Sequence, residues 1–157
     1  MINELKKYIK ENLIIEKISY KRNIMFEESL ASRSSINEYI DDNKSKNDFQ
    51  TLLFKYIDNK NLKDSDVYNK VHIDRRLFSK IRSDKNYHPS KETIILFGLS
   101  LELNEKEMIE LLESASYTLS KNNYYDLIIR FCFINKIYKV NDVNNLLEEY
   151  NCKLFSY

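Results

Sequence analysis

Apolar residues recur along most of this chain at three- and four-residue spacing, the period of an amphipathic helix rather than the alternation of a half-buried strand. Leu5, Tyr8, Ile9 and Leu13 form the first such stripe, within a stretch from Ile2 to about Tyr20. Ile14, Ile15 and Ile18 either prolong that helix or form a short strand. A weaker helical pattern runs from Phe26 to Ile40. The polar run DDNKSKND, Asp41 to Asp48, reads as a linker. The expected organisation is a helical extension over 1–48 and a main domain over 49–157.

Seven helices are predicted in the main domain. Phe49, Leu52, Leu53, Tyr56 and Ile57 mark the first. Leu62, Val67, Tyr68 and Val71 mark the second, and Ile73, Leu77, Phe78 and Ile81 the third, with Asp74 as its N-cap. The fourth starts after Pro89 with Ser90 as cap and carries Ile94, Ile95, Phe97, Leu99 and Leu101. Asn104 and Glu107 form a capping-box variant that opens the fifth, through Met108, Leu111, Leu112 and Ala115. Ser120 is read as the cap of the sixth, with Tyr124, Leu127, Ile128, Phe131 and Cys132 inward. Asn141 is read as the cap of the seventh, with Val143, Leu146, Leu147 and Tyr150. Tyr124, Tyr125 and Tyr138 fall in or beside these stripes and are assigned to core packing.

Composition supports an all-α fold. One glycine and one proline in 157 residues leave little material for the tight turns of a strand-rich protein. The helices must then be joined by Asn, Asp, Ser and Lys. A hydrophobic fraction of 43% with 31% charged residues is globular rather than disordered. Cys132 and Cys152 lie in helical patterns without a CxxC and read as ordinary thiols of a reducing compartment. With no apolar run near the roughly 20 residues of a membrane span, and charged sequence after Met1 to Lys10, a cytoplasmic protein is expected.

Charge is uneven. Lys70 to Lys91 holds seven cations against two anions, net +5; Glu92 to Glu113 holds one cation against six anions, net −5. The overall net charge of +1 hides this polarity. One side of the surface therefore suits phosphate.

The basic segment lies where two helical repeats meet at a very short turn, the layout of a helix-turn-helix. In that arrangement a buried face of the second helix fixes its angle, and its outer face enters a nucleic-acid groove. Ile73, Phe78 and Ile81 supply the buried face. Arg75, Arg76, Ser79 and Lys80 supply the outer one, on a reading helix at about 74–83. Arginine can pair bidentately with guanine O6 and N7, contributing about 1–3 kcal/mol of discrimination. Arg82, Lys85, Tyr87, His88 and Lys91 follow in positions suited to phosphate, and Ser90 opens a helix whose free N–H groups favour anions.

The order Val71, Ile73, Asp74, then Phe78-Ser79-Lys80-Ile81, then Pro89-Ser90 and a leucine-rich helix resembles the Cro-type, lambda-repressor-like helix-turn-helix family over roughly Phe49 to Tyr117. The string DRRLFSKIRSDKNYHPSK also resembles a bacterial group in which this domain carries extra C-terminal helices, here Asp126 to Tyr157. The resemblance implies a five-helix DNA-binding core and a transcriptional regulator that binds double-stranded DNA as a homodimer. Two positions depart from the pattern: His72 stands where glycine is usual, and Tyr68 where a small residue is usual. They leave open a second reading, a protein-binding module or inhibitor of a nucleic-acid-handling protein, such as a nuclease of a defence system.

Catalysis is not expected. His72 and His88 lack the further ligands that zinc requires. The carboxylates between Glu102 and Glu113 repeat as a solvated helix face. A single glycine cannot build a phosphate loop, and no serine stands in a triad pattern. No cofactor is implied.

Overall fold

A computed structural model of the chain describes residues 1–12, 36–44 and 48–156, and among these every regular element is a helix. The chain divides into two compact units, Met1–Lys46 and Asn47–Tyr157. In the first unit, helix α1 (residues 2–12) buries Leu5 and Ile9, and α2 (Ile36–Asn43) buries no residue. Helix α2 runs into the stretch read as linker and ends at Asn43, so Asp41 and Asp42 are helical. Leu13, Ile14, Ile15, Ile18 and the stretch 26–35 lie outside the described residues.

The second unit holds α3 (Phe49–Asn59), α4 (Asp64–Lys70), α5 (Arg75–Ser83), α6 (Lys91–Ser100), α7 (Glu105–Ser114), α8 (Tyr124–Ile134) and α9 (Val140–Glu149). Their starts are written in the local sequence. Asp48, Asp74, Ser90 and Asn104 each accept a backbone N–H of the first turn, and Asn104 with Glu107 completes a reciprocal capping box. Two expected caps are different. Asn123, not Ser120, caps α8, while the Ser120 hydroxyl takes the Asn122 N–H at 3.0 Å. Helix α9 begins at Val140, so Asn141 lies inside its first turn. Leu62 sits in the turn before α4 and is exposed rather than part of that helix's stripe.

Every helix of the second unit except α5 ends by one rule. Asn61, His72, Glu102, Ser116, Lys136 and Asn151 all have positive φ, between 50° and 62°. In each case the next residue donates its N–H to a carbonyl five residues back, as in Ile73 to Tyr68 and Leu103 to Gly98. These are Schellman caps, which glycine usually closes. Here the chain accepts the left-handed conformation at side-chain-bearing residues, as the shortage of glycine requires.

The one glycine serves packing instead. Gly98 lies inside α6, where a Cβ would overlap the Met108 sulfur and come within 3.1 Å of Phe133 Cζ. The missing Cβ lets α6, α7 and α8 approach closely around a core that includes Phe97, Leu99, Leu111, Ile128 and Phe133. Burial pushes the Cys132 thiol up to about 12, so this cysteine packs as an inert apolar group. Tyr125 and Tyr138 are half-buried; Tyr124, assigned to the core from its spacing, is exposed with its ring 5.4 Å from that of Tyr150.

Candidate functional site

Helix α5 is held on three sides. The Val71–Asp74 turn brings α4 into it, with His72 at φ 57° and Asp74 accepting the Arg76 N–H at 2.6 Å. Phe78 is buried among three aromatic rings, Phe54, Tyr68 and Phe97, at centroid distances of 6.0, 5.4 and 5.8 Å. Tyr68 therefore fills space beside Phe78 as part of the packing that orients α5. The far end is tied down by Gln50, whose amide donates to the carbonyls of Ile81 and Arg82 at 2.7 and 2.6 Å. Two carbonyls of the last turn that would otherwise lack helical partners are thus satisfied. The Ser100 hydroxyl donates to Val67 O at 2.6 Å and joins α6 to α4.

With this face fixed, the arc opposite Phe78 and Ile81 carries Arg75, Arg76, Ser79 and Lys80, all exposed. At about 100° per residue these four span roughly 140° of the helix surface. Neither Arg75 nor Arg76 pairs with a carboxylate among the described residues. Lys80 lies over the Tyr87 ring, 4.6 Å from its centroid, which keeps its ammonium at the surface beside the loop 84–90. Lys85, on that loop, is also exposed and without an ion pair among the described residues.

The remaining expected contacts are already engaged within the protein. Arg82 stacks on Phe54 at 4.0 Å and pairs with Asp64 at 2.6 Å, pinning α5 to α3 and α4. His88 lies 2.8 Å from Ala115 O through Nε2 and 3.4 Å from the Tyr117 hydroxyl through Nδ1. With its proton on Nε2 the ring donates to the carbonyl, while the one Tyr117 hydroxyl proton is directed at Pro89 O at 3.2 Å. The Ser90 hydroxyl accepts the Thr93 N–H and faces Thr93 Oγ1, so the start of α6 is already capped. Lys91, placed at a phosphate by its position in the basic run, is instead bound to Asp126 at 2.6 Å, against a carboxylate 3% exposed. Lys70 likewise pairs with Glu102. Of the seven cations in the basic segment, Lys70, Arg82 and Lys91 are internally neutralised and Arg75, Arg76, Lys80 and Lys85 remain available.

Two features of this face have no counterpart in the local sequence. Gln50 supports α5 from more than thirty residues away. The C-terminal segment returns to the start of α6, where Lys153 pairs with Glu92 at 3.1 Å. Among the described residues no cluster of His, Cys, Asp and Glu could hold a metal ion, and no helix is long and apolar enough to cross a membrane. No protein-family model, characterised protein or solved structure matches the chain.

Proposed function

We propose that the chain is a sequence-specific DNA-binding protein, a transcriptional regulator whose α4–turn–α5 unit is a helix-turn-helix on a lambda-repressor-like frame. The observation that carries this reading is the division of α5. One side is locked by Phe78, Ile81 and the Gln50 amide, and the other presents Arg75, Arg76, Ser79 and Lys80 to solvent. Long donors on a helix held at a fixed angle are what major-groove readout needs. Arg75 and Arg76 stand in the first turn, the part that enters deepest, and read base edges. Lys80 and Lys85 contact phosphate and set register. One reading helix spans few base pairs, so the protein acts as a homodimer on a two-fold site.

Selection from a random duplex library, with the oligomeric state measured on the same sample, tests this reading. Enrichment of a palindrome supports it. Failure of the protein to retain any duplex at low salt overturns it.

The second reading, a protein-binding module that inhibits a nucleic-acid-handling protein, is favoured by α2. Ile36, Tyr39 and Ile40 form an i, i+3, i+4 stripe, exposed at 69, 59 and 48%. A stoichiometric protein complex that resists nuclease and is lost on Ile36→Asp with Ile40→Asp would favour it over DNA binding.

A further inference from the structure

The C-terminal segment lies beside the starts of α5 and α6, next to Asp74 and Leu77. Phe155 is 5% exposed, and its backbone is clamped by the Asn144 side chain: the Phe155 N–H donates to Oδ1 at 2.9 Å and Nδ2 donates to Phe155 O at 3.0 Å. An amide that satisfies both backbone groups of one residue holds an irregular strand of chain as a sheet neighbour would. Lys153 and Phe155 form one wall of a cleft of about 380 Å³ whose other walls include Asp74, Leu77, Ser90 and Glu92. Asp74 and Ser90 are the caps of α5 and α6, so the tail borders the starts of both helices.

The charge there has a consequence for any phosphate approaching α5. Asp74 and Glu92 place two carboxylates beside the cleft, and among the described residues lining it Lys153 is the only lysine or arginine. The Glu92 carboxyl is held below the usual carboxylate range first by its own backbone N–H and then by the Lys153 ammonium, so it stays ionised. The ion pair is open to water, with side-chain exposures of 76% for Lys153 and 40% for Glu92. Exposed pairs of this kind contribute little, being screened by water and salt, so Lys153 can shift toward a second anion at little cost. An ammonium has three donors and can hold Glu92 and a phosphate oxygen together.

We propose that the C-terminal segment extends the nucleic-acid face: Asn144 anchors it at Phe155 so that Lys153 screens Glu92 and contacts the DNA backbone beside the start of α6. This rests on the DNA-binding reading above and adds a contact distant in sequence from the basic segment. The cation acts as a point charge, so it strengthens binding to all duplexes alike and does not alter base preference.

Fluorescence anisotropy with a labelled mixed-sequence duplex of about 30 base pairs, titrated at roughly 50 to 200 mM salt, tests the proposal. Lys153→Gln is expected to weaken binding roughly three- to tenfold at the middle of that range and to reduce the salt slope by about 0.9, the value of one phosphate contact. Glu92→Gln on that background should recover part of the loss, because the carboxylate that repels phosphate is gone. Asn144→Ala should reproduce the slope change by releasing the anchor, with urea unfolding showing that the fold persists. If Lys153→Gln leaves affinity and slope unchanged while Arg75→Ala weakens binding, the tail contact is wrong and the α5 reading stands. If the unaltered protein binds no duplex at low salt, both fall.

Discussion

Lys91→Ala separates a phosphate contact from a structural ion pair at a single residue. The Asp126 carboxylate is 3% exposed and accepts from Lys91 Nζ at 2.6 Å through Oδ1. Its other oxygen accepts the Ser120 N–H at 2.7 Å and the Asn123 amide at 3.2 Å. Truncating the lysine leaves Oδ1 without its cation at a carboxylate that is itself 3% exposed. Breaking a fully buried pair from one side costs about 3–5 kcal/mol. The two donors on Oδ2 persist, and the lysine is 25% exposed, so some water can follow it out. The expected loss is therefore about 2–3 kcal/mol. In urea, followed by helical circular dichroism, that lowers the midpoint by about 1–2 M for an m-value of roughly 1.5–2 kcal/mol/M. Lys91→Met with Asp126→Asn should lose less than Lys91→Ala alone, since no unpaired charge remains. A Lys91→Ala midpoint that corresponds to within about 0.5 kcal/mol of the parent, the range of an ordinary surface substitution, would show that Asp126 does not depend on the lysine.

Gly98→Ala should destabilise by about 1–2 kcal/mol, the overpacking cost against Met108 exceeding the helix-propensity gain of about 1 kcal/mol; in a Met108→Ala background the same change should become stabilising, and an unchanged sign in that background sinks the packing account. Lys136→Gly and Ser116→Gly should each raise stability by about 0.5–1 kcal/mol by relieving the left-handed conformation, visible as a higher midpoint of thermal unfolding. Arg75→Ala and Arg76→Ala should leave that midpoint within the effect of about 0.5 kcal/mol expected at an exposed site, yet change which duplexes are selected. Asp48, Glu92 and Glu102 have carboxyls held below the usual range, chiefly by the Thr51 N–H, the Glu92 N–H and Lys70 respectively. Their contributions are present above the ordinary carboxylate pKa of about 4 and are lost as pH falls through the lowered values, so Glu102→Gln should flatten the acid limb of a stability–pH curve slightly.

What could be read from local sequence was the part whose physics is local. A cap needs only an oxygen and an N–H two or three residues on, which is why Asp74, Ser90 and Asn104 were legible. At α8 that rule has two solutions: Ser120 and Asn123 are both good cap residues three apart, and packing of the Asp126 turn selected Asn123. The scarcity of glycine announced that other residues would close the helices, and His72 does so at the end of α4. The one glycine falls inside the fourth predicted helix, but that Met108 and Phe133 would press on it there had no local signal, because the demand comes from two other helices.

The candidate face divides the same way. Periodicity alone placed Phe78 and Ile81 inward and Arg75, Arg76, Ser79 and Lys80 outward, since side-chain direction on a helix follows from residue number. Which of the basic residues keep a free charge was decided only by the tertiary structure. Arg82 meets Asp64 eighteen residues away, Lys91 meets Asp126 at thirty-five, and Lys153 comes back to Glu92 across sixty-one. Charge is a property of each residue, but its availability depends on what folding brings within a few ångströms, and no spacing along the chain records that.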